Sequence, residues 1–293
     1  MSRNGHGGIS RREALGVMGG MVLAAGARLS LAADQPAAQK GLALQLYTLR
    51  EPAKQDLPGT LKKVREMGWE HVQWSGMPDL PAEKIREALD AAGLKAVAAH
   101  CGVEPFETDF ENQVKFWKTV GVSHLGPGGM MGDCKDSLEA WLKGAQRLDA
   151  LGAKLRAEGI HLTYHNHDGE FEKFPGDDRC KLDILYESTS PENLRAEIDT
   201  AWVYVAGADP AAYLRKCKGR CQVIHVKDAA GKKRLGRVQF TPVGQGALNW
   251  KEIFAAAHES GTEWYVYEQD NSKGDIFEEA LASYEFMKKN VTL

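Results

Sequence analysis

Histidines and carboxylates recur in this chain just where short apolar runs end. His100 closes one such run, and Tyr164-His165-Asn166-His167 closes another, with Glu170 three residues on. Asp199 ends the next, His225 and Lys227 the one after, and Glu268 the last. Gln45 and Trp74 fall near the ends of two earlier runs. Buried together, like charges repel one another and unpaired ones need partners. One divalent cation resolves the conflict, and two carboxylates with imidazoles suit Mn²⁺, Zn²⁺ or Mg²⁺. Taken singly, each has a plainer reading: a strand-end histidine packs in a core, and Glu268 pairs with Lys227.

The elements that must position these residues alternate along the chain. Apolar runs predict strands at 42–47, 71–74, 94–100, 123–126, 160–165, 194–199, 222–227 and 264–268. Amphipathic stretches predict helices at 58–67, 82–92, 106–120, 137–158, 181–188, 210–217, 250–260 and 277–289, five of them followed at once by Gly. Strand–helix alternation implies parallel strands with right-handed crossovers. Eight units in about 250 residues is the size of a single-domain α/β protein, the (β/α)8 TIM barrel. An open doubly wound sheet is the alternative, but no G-x-G-x-x-G follows the first strand. In a barrel the chemistry gathers at the C-terminal ends of the strands, where the singled-out residues fall.

The first 33 residues read differently. Arg3, Arg11 and Arg12 precede an apolar Gly/Ala-rich stretch at 14–27 and the small residues of 30–33. This is the pattern of an export signal, and Ser10-Arg11-Arg12-Glu13-Ala14-Leu15 resembles a twin-arginine motif with Ala14 in place of the usual Phe. The expectation is a signal at 1–33, a barrel at 34–293 and a periplasmic or secreted protein exported already folded. A retained anchor helix is the alternative. No apolar run reaches the 18–20 residues or so of a membrane span, so none is expected after signal removal. With 37 basic and 40 acidic residues the net charge is −3, unsuited to nucleic acid. Five cysteines are an odd number, and Cys217 and Cys221, four apart, lack the second pair of a zinc knuckle.

The stretches Leu44–Arg50, Tyr164-His165-Asn166-His167 with Glu170-Phe171, Asp199-Thr200-Ala201-Trp202-Val203, His225-Val226-Lys227-Asp228, Pro242-Val243-Gly244-Gln245-Gly246 and Glu268-Gln269-Asp270 together resemble the xylose isomerase-like superfamily of sugar phosphate isomerases and epimerases. The resemblance covers the whole mature chain. It implies one metal ion held from strands five to eight, with Asp199, His225 and Glu268 matching three ligands. The fourth is commonly a Glu. His165 stands at that position here, with His167 and Glu170 as alternatives.

The departure bears on the reaction. Family epimerases move protons with one carboxylate on each face of the substrate. A strand-five His suits removal of a proton beside a carbonyl followed by loss of a leaving group. The implied function is a metal-dependent isomerase or epimerase acting on an unphosphorylated carbohydrate through an enediolate or enolate. Its close alternative is a lyase or dehydratase acting on an inosose or 3-keto-glycoside. His167, Lys227, Glu170 and Glu268 are the candidate acid/base groups. Gln45, Trp74, His100, Asn166 and Trp202 are candidates for substrate binding, and Trp250 for stacking on a sugar. A non-catalytic periplasmic sugar-binding subunit, which needs no acid/base pair, is the reading from another class. The partners expected are a small carbohydrate and, as often in such barrels, a second copy of the chain.

Overall fold

A computed structural model describes residues 40–129, 132–232 and 237–293. The export signal expected at 1–33 lies outside the described residues, as do Lys233 and Arg234 of the basic run at 232–234. Eight parallel strands close a barrel: β1 (Gly41–Gln45), β2 (His71–Trp74), β3 (Lys95–His100), β4 (His124–Gly126), β5 (His161–His165), β6 (Leu194–Asp199), β7 (Val223–Val226) and β8 (Trp264–Tyr267). β1 completes the ring by pairing with both β2 and β8, Ala43 level with His71 and Gly41 level with Trp264. The TIM-barrel expectation holds, each strand within two residues of its predicted bounds.

The helices are α1 (Arg50–Gln55), α2 (Leu57–Glu66), α3 (Ala82–Ala92), α4 (Glu104–Thr108), α5 (Phe110–Val120), α6 (Leu138–Ala157), α7 (Lys181–Glu187), α8 (Thr200–Val205), α9 (Pro210–Lys216), α10 (Trp250–Ser260) and α11 (Ile276–Asn290). Gly68, Gly93, Gly121, Gly159 and Gly261, which stop five of them, have φ between +70° and +104°. That is the left-handed conformation that lets a chain leave a helix sharply. Besides α1 and the helical turn Leu46–Leu49 before it, three features were not predicted. Asp109, at φ −148° and ψ 59°, breaks the expected 106–120 helix into α4 and α5. α8 starts with no intervening loop, because Asp199 ends β6 and also caps the helix by accepting from Trp202 N at 3.0 Å. A short antiparallel ribbon pairs Asp228–Ala229 with Phe240–Thr241.

Two apolar layers position the site. The larger lies between strands and helices and includes Trp69, Trp141 and Leu148. Each fully buried Leu, Ile or Phe in it contributes about 1.5–3 kcal/mol relative to exposure. The smaller, of Ala43, Val97, Ala98, Val223, Trp264 and Val266, plugs the barrel itself. Side chains on a strand alternate between faces. The next inward positions toward the C-terminal ends are therefore Gln45 after Ala43, His100 after Ala98, His225 after Val223 and Glu268 after Val266. The polar site rests on this plug. All five cysteines are free thiols, and burial pushes those of Cys101 and Cys217 up to about 12, so neither is a thiolate at neutral pH. Among the described residues no helix is long and apolar enough to cross a membrane.

Candidate metal centre and active site

The ends of β5, β6, β7 and β8 bring His165, Asp199, His225 and Glu268 together, with one ligand atom from each lying within 4.8 Å of the others. All four are buried. His165 Nε2 lies 3.4 Å from Asp199 Oδ2 and 3.9 Å from Glu268 Oε2, and His225 Nδ1 lies 2.8 Å from Glu268 Oε2. Both ring nitrogens of His165 and Oδ2 of Asp199 lack a hydrogen-bond partner. Each buried unpaired polar atom costs about 1–3 kcal/mol, so His165 Nε2 and Asp199 Oδ2, 3.4 Å apart, need an explanation.

A divalent cation fits this donor set. Burial, followed by the neighbouring His225, pushes the His165 pKa down to about 3, so the ring stays in the neutral form that a ligand requires. Burial would raise the pKa values of Asp199 and Glu268, but Lys227 and the neighbouring histidines hold both below the ordinary carboxylate range. His225 moves the other way. Burial would lower it, but Glu268 and Glu197 raise it to about 10. Without a cation His225 is therefore protonated, and a metal binding there would displace its Nδ1 proton. The His165 nitrogen, the His225 nitrogen so freed and two carboxylate oxygens are the ligands of a Zn²⁺- or Mn²⁺-type centre.

Lys227 stands beside the cluster among three carboxylates. Its Nζ lies 2.7 Å from Asp270 Oδ1, 3.0 Å from Glu268 Oε2 and 3.3 Å from Asp199 Oδ2. Burial would lower its pKa, but Asp199, Glu268 and Asp270 outweigh that and carry it above an ordinary lysine. This environment opposes the expected role of a neutral lysine base. Lys227 is a fixed positive charge.

The other expected residues fall into three places. His167 and Trp202 are half-buried and form one wall, their ring centres 5.3 Å apart. Phe240 of the ribbon extends this wall at 5.3 Å from Trp202, and Lys227 Nζ lies 4.8 Å from the Phe240 ring centre. Gln45 and His100 are engaged lower in the barrel. Gln45 Nε2 contacts His100 Nδ1 at 3.3 Å, and His100 Nε2 lies 2.8 Å from Glu197 Oε1. Asn166 is a strut from β5 to β6, its Oδ1 accepting from Asp199 N at 3.1 Å.

Glu170, half of the expected acid/base pair, sits apart from the four-residue cluster. Its carboxylate accepts from Tyr164 OH at 3.1 Å and from His167 N at 2.9 Å. Burial raises its pKa, and it braces the His167 backbone. Trp74 is buried among the outer core hydrophobics, while its neighbour Gln73 hydrogen-bonds to Glu197 inside the barrel. Trp250 is likewise buried, donating from Nε1 to Asp228 Oδ2 at 2.7 Å.

Sequence reasoning gave no role to Glu197, Gln73, Thr163 or Asp270, although Asp270 lies in one of the stretches that carry the resemblance. The signal for Glu197 was present, since Glu197-Ile198-Asp199 puts two acids on one face of a strand. Gln73 faces inward by ordinary alternation, level with Gln45, but a lone amide in a strand carries no chemical signal.

A closed (β/α)8 barrel with imidazoles and carboxylates converging at its C-terminal rim has the architecture in which barrel enzymes place their active sites. The chain belongs to the xylose isomerase-like TIM-barrel family, whose model matches residues 61–290. It is 26% identical over 171 residues to an inosose dehydratase of Lacticaseibacillus casei, covering 53% of this chain and 56% of that one. The chain thus spans about half the length of the curated relatives it matches. A sugar phosphate isomerase/epimerase structure from Parabacteroides distasonis superposes with a TM-score of 0.72 at 22% identity, over 85% of this chain and 98% of the other. The structure of the IolI protein with a bound zinc atom superposes with a TM-score of 0.63 at 16% identity, over 87% and 100%. At these identities the two structures share the fold.

Proposed function

We propose that this protein is a divalent-metal-dependent carbon–oxygen lyase that eliminates water or an alcohol from an unphosphorylated keto-cyclitol, keto-sugar or 3-keto-glycoside. The observation that carries this reading is His165 at the end of β5, inside the cluster with Asp199, His225 and Glu268. Proton exchange between two carboxylates on opposite substrate faces lacks its β5 member in this chain. One base beside a polarised carbonyl suffices for elimination. The inosose dehydratases among the relatives support the same choice.

A cation held by the four residues would polarise a substrate carbonyl and make the neighbouring C–H acidic. The protein's own groups supply the rest. His167, braced through its backbone by Glu170, takes the proton from the carbon beside the carbonyl. It returns that proton to the oxygen leaving from the next carbon. Water or an alcohol departs, and a C=C bond conjugated with the carbonyl remains. The Lys227 ammonium stabilises negative charge developing on substrate oxygen. Trp202 offers a flat face to a sugar ring. The two-imidazole, two-carboxylate set favours Zn²⁺ or Mn²⁺ over Mg²⁺, which prefers oxygen.

The preference for free sugars rests on the export reading, since phosphorylated sugars are mainly cytosolic metabolites. Folded export by the twin-arginine route belongs to the same proposal and rests on residues 1–33. N-terminal sequencing of protein from periplasmic and cytoplasmic fractions tests it. An intact residue 1–33 segment on cytoplasmic protein contradicts it.

A second reading, isomerase or epimerase, draws on Glu268, a rim carboxylate able to move a proton. Proton NMR in D₂O with an inosose, a 3-keto-glucoside and free ketoses separates the readings. Loss of water or aglycone with a new unsaturated ketone is the expected result. Deuterium uptake with the skeleton retained would favour the isomerase. A metal-loaded protein inert toward every compound would favour the binding subunit.

A further inference from the structure

We propose that Glu197 is the positioning residue of the cation site, holding the His225 ring so that Nδ1, and not Nε2, faces the cation. The inference rests on the metal-binding part of the proposed function and on nothing about the substrate.

Glu197 lies one inward position below Asp199 on β6 and is fully buried. A carboxylate there is tolerated only if its lone pairs are taken up. Oε1 accepts from Gln73 Nε2 at 2.7 Å and contacts His100 Nε2 at 2.8 Å and His225 Nε2 at 2.8 Å, while Oε2 accepts from Thr163 Oγ1 at 2.7 Å. Four strands thus supply the donors, so the carboxylate is fixed in position and orientation.

That environment decides which His225 nitrogen carries hydrogen. An ionised carboxylate only accepts, so the His225 nitrogen facing it bears a proton. Gln73 agrees. Its amide nitrogen points at Glu197, so the group 2.8 Å from His225 Nε2 is its oxygen, a second acceptor. A ligating imidazole is neutral and has one N–H, which leaves its lone pair on Nδ1. Nδ1 also faces a carboxylate, Glu268 Oε2 at 2.8 Å, but that residue belongs to the four-residue cluster, so a cation there takes the place of the Nδ1 proton while Nε2 keeps its two acceptors. The His100 ring, parallel to that of His225 within 13° and 5.4 Å from it, limits rotation of the imidazole.

His100, Glu197 and His225 also have the spacing of a metal site of their own. Their polar atoms argue against one. Both Glu197 oxygens and His225 Nε2, the atoms that would face a lower cation, already have protein partners, unlike His165 Nε2 and Asp199 Oδ2 above them. The lower trio supports the upper site. Partners of this kind typically change metal affinity by about 10–100-fold.

The test uses the folded chain with Zn²⁺, and with ¹¹³Cd²⁺ as an NMR probe. In ¹⁵N-histidine-labelled wild type, ¹¹³Cd should couple to Nδ1 of His225, and Nε2 should keep its proton. In Glu197→Gln, an amide N–H must face one of the surrounding donors. Zn²⁺ affinity in a competition titration against a chromophoric chelator should fall about 10–100-fold. If that variant does not fold, Thr163→Val removes one donor and should weaken Zn²⁺ severalfold. Coupling to Nε2 overturns the proposal, as does affinity within twofold of wild type in the folded variant. A wild type that binds neither ion overturns this inference and the metal reading together. A wild type that binds through Nδ1 yet eliminates nothing from keto-sugars leaves the inference standing and the lyase reading refuted.

Discussion

His165 Nε2 and Asp199 Oδ2 approach to 3.4 Å at the ends of neighbouring strands; neither makes a well-formed hydrogen bond, and Lys227 Nζ stands 3.3 Å from the Asp199 oxygen. β5 and β6 are paired so that His165 stands level with Glu197, which places Asp199 one inward position above it. A cation bound between them would satisfy both atoms, and the predictions begin from that point.

Asp199→Asn and Glu268→Gln each replace an anionic ligand by a weak neutral one. Both variants should lose bound metal and activity together, with kcat/KM down by at least about 10²-fold, the scale of losing one positioned catalytic group. Metal analysis of purified protein alongside the elimination assay checks this. Normal metal content in either variant removes that residue from the ligand set.

His167→Gln separates a base from a ligand. Bound metal should remain at the wild-type level while kcat falls by about 10²–10⁴-fold, the usual contribution of a positioned acid/base group. Metal lost in proportion to activity would place His167 among the ligands.

Lys227→Met leaves Asp199, Glu268 and Asp270 without their shared counter-ion. Breaking a buried ion network from one side costs about 3–5 kcal/mol, or roughly 6–20 °C in Tm for a domain of this size. Calorimetry in the presence of a chelator should show a loss on that scale. A Tm within 2 °C of wild type, roughly the effect of 1 kcal/mol or less, would contradict the counter-ion role.

His124 makes stability fall in acid. It is buried in β4, and burial followed by the charge of nearby His161 pushes its pKa from 6.5 down to about 4. Between those values the unfolded chain binds a proton that the folded chain refuses. The contribution is complete above pH 6.5 and is lost as the pH falls through about 4. The 2.5-unit gap corresponds to about 3 kcal/mol. Urea unfolding at pH 7 and pH 4.5 should show a smaller drop for His124→Gln than for wild type. An unchanged drop assigns the acid sensitivity elsewhere.

The strands could be read from the sequence because each buries a short apolar run, and five helices advertised their ends with glycine. The rim residues followed, since the alternation that buries Val223 and Val266 also brings His225 and Glu268 inward. What could not be read depends on contacts distant in sequence. Glu197 resembles an ordinary mid-strand charge until Gln73, His100 and Thr163 converge on it from three other strands. Asp270 is a loop residue whose place beside Lys227 is supported by Arg50 Nη2 donating to its carbonyl at 2.9 Å. Trp74 and Gln73 are neighbours on β2, and alternation turns Gln73 inward level with Gln45, but its partner Glu197 on a distant strand is what no local pattern reveals.

The central claim is that one divalent cation sits at the rim on His165, Asp199, His225 and Glu268. Equilibrium dialysis against Zn²⁺, followed by X-ray absorption at the zinc edge, tests it most directly. The account predicts one zinc per chain and a first coordination sphere containing two imidazole nitrogens and carboxylate oxygens, reduced to one imidazole in His165→Ala. Two imidazoles retained in that variant, or no stoichiometric zinc in wild type, would contradict it.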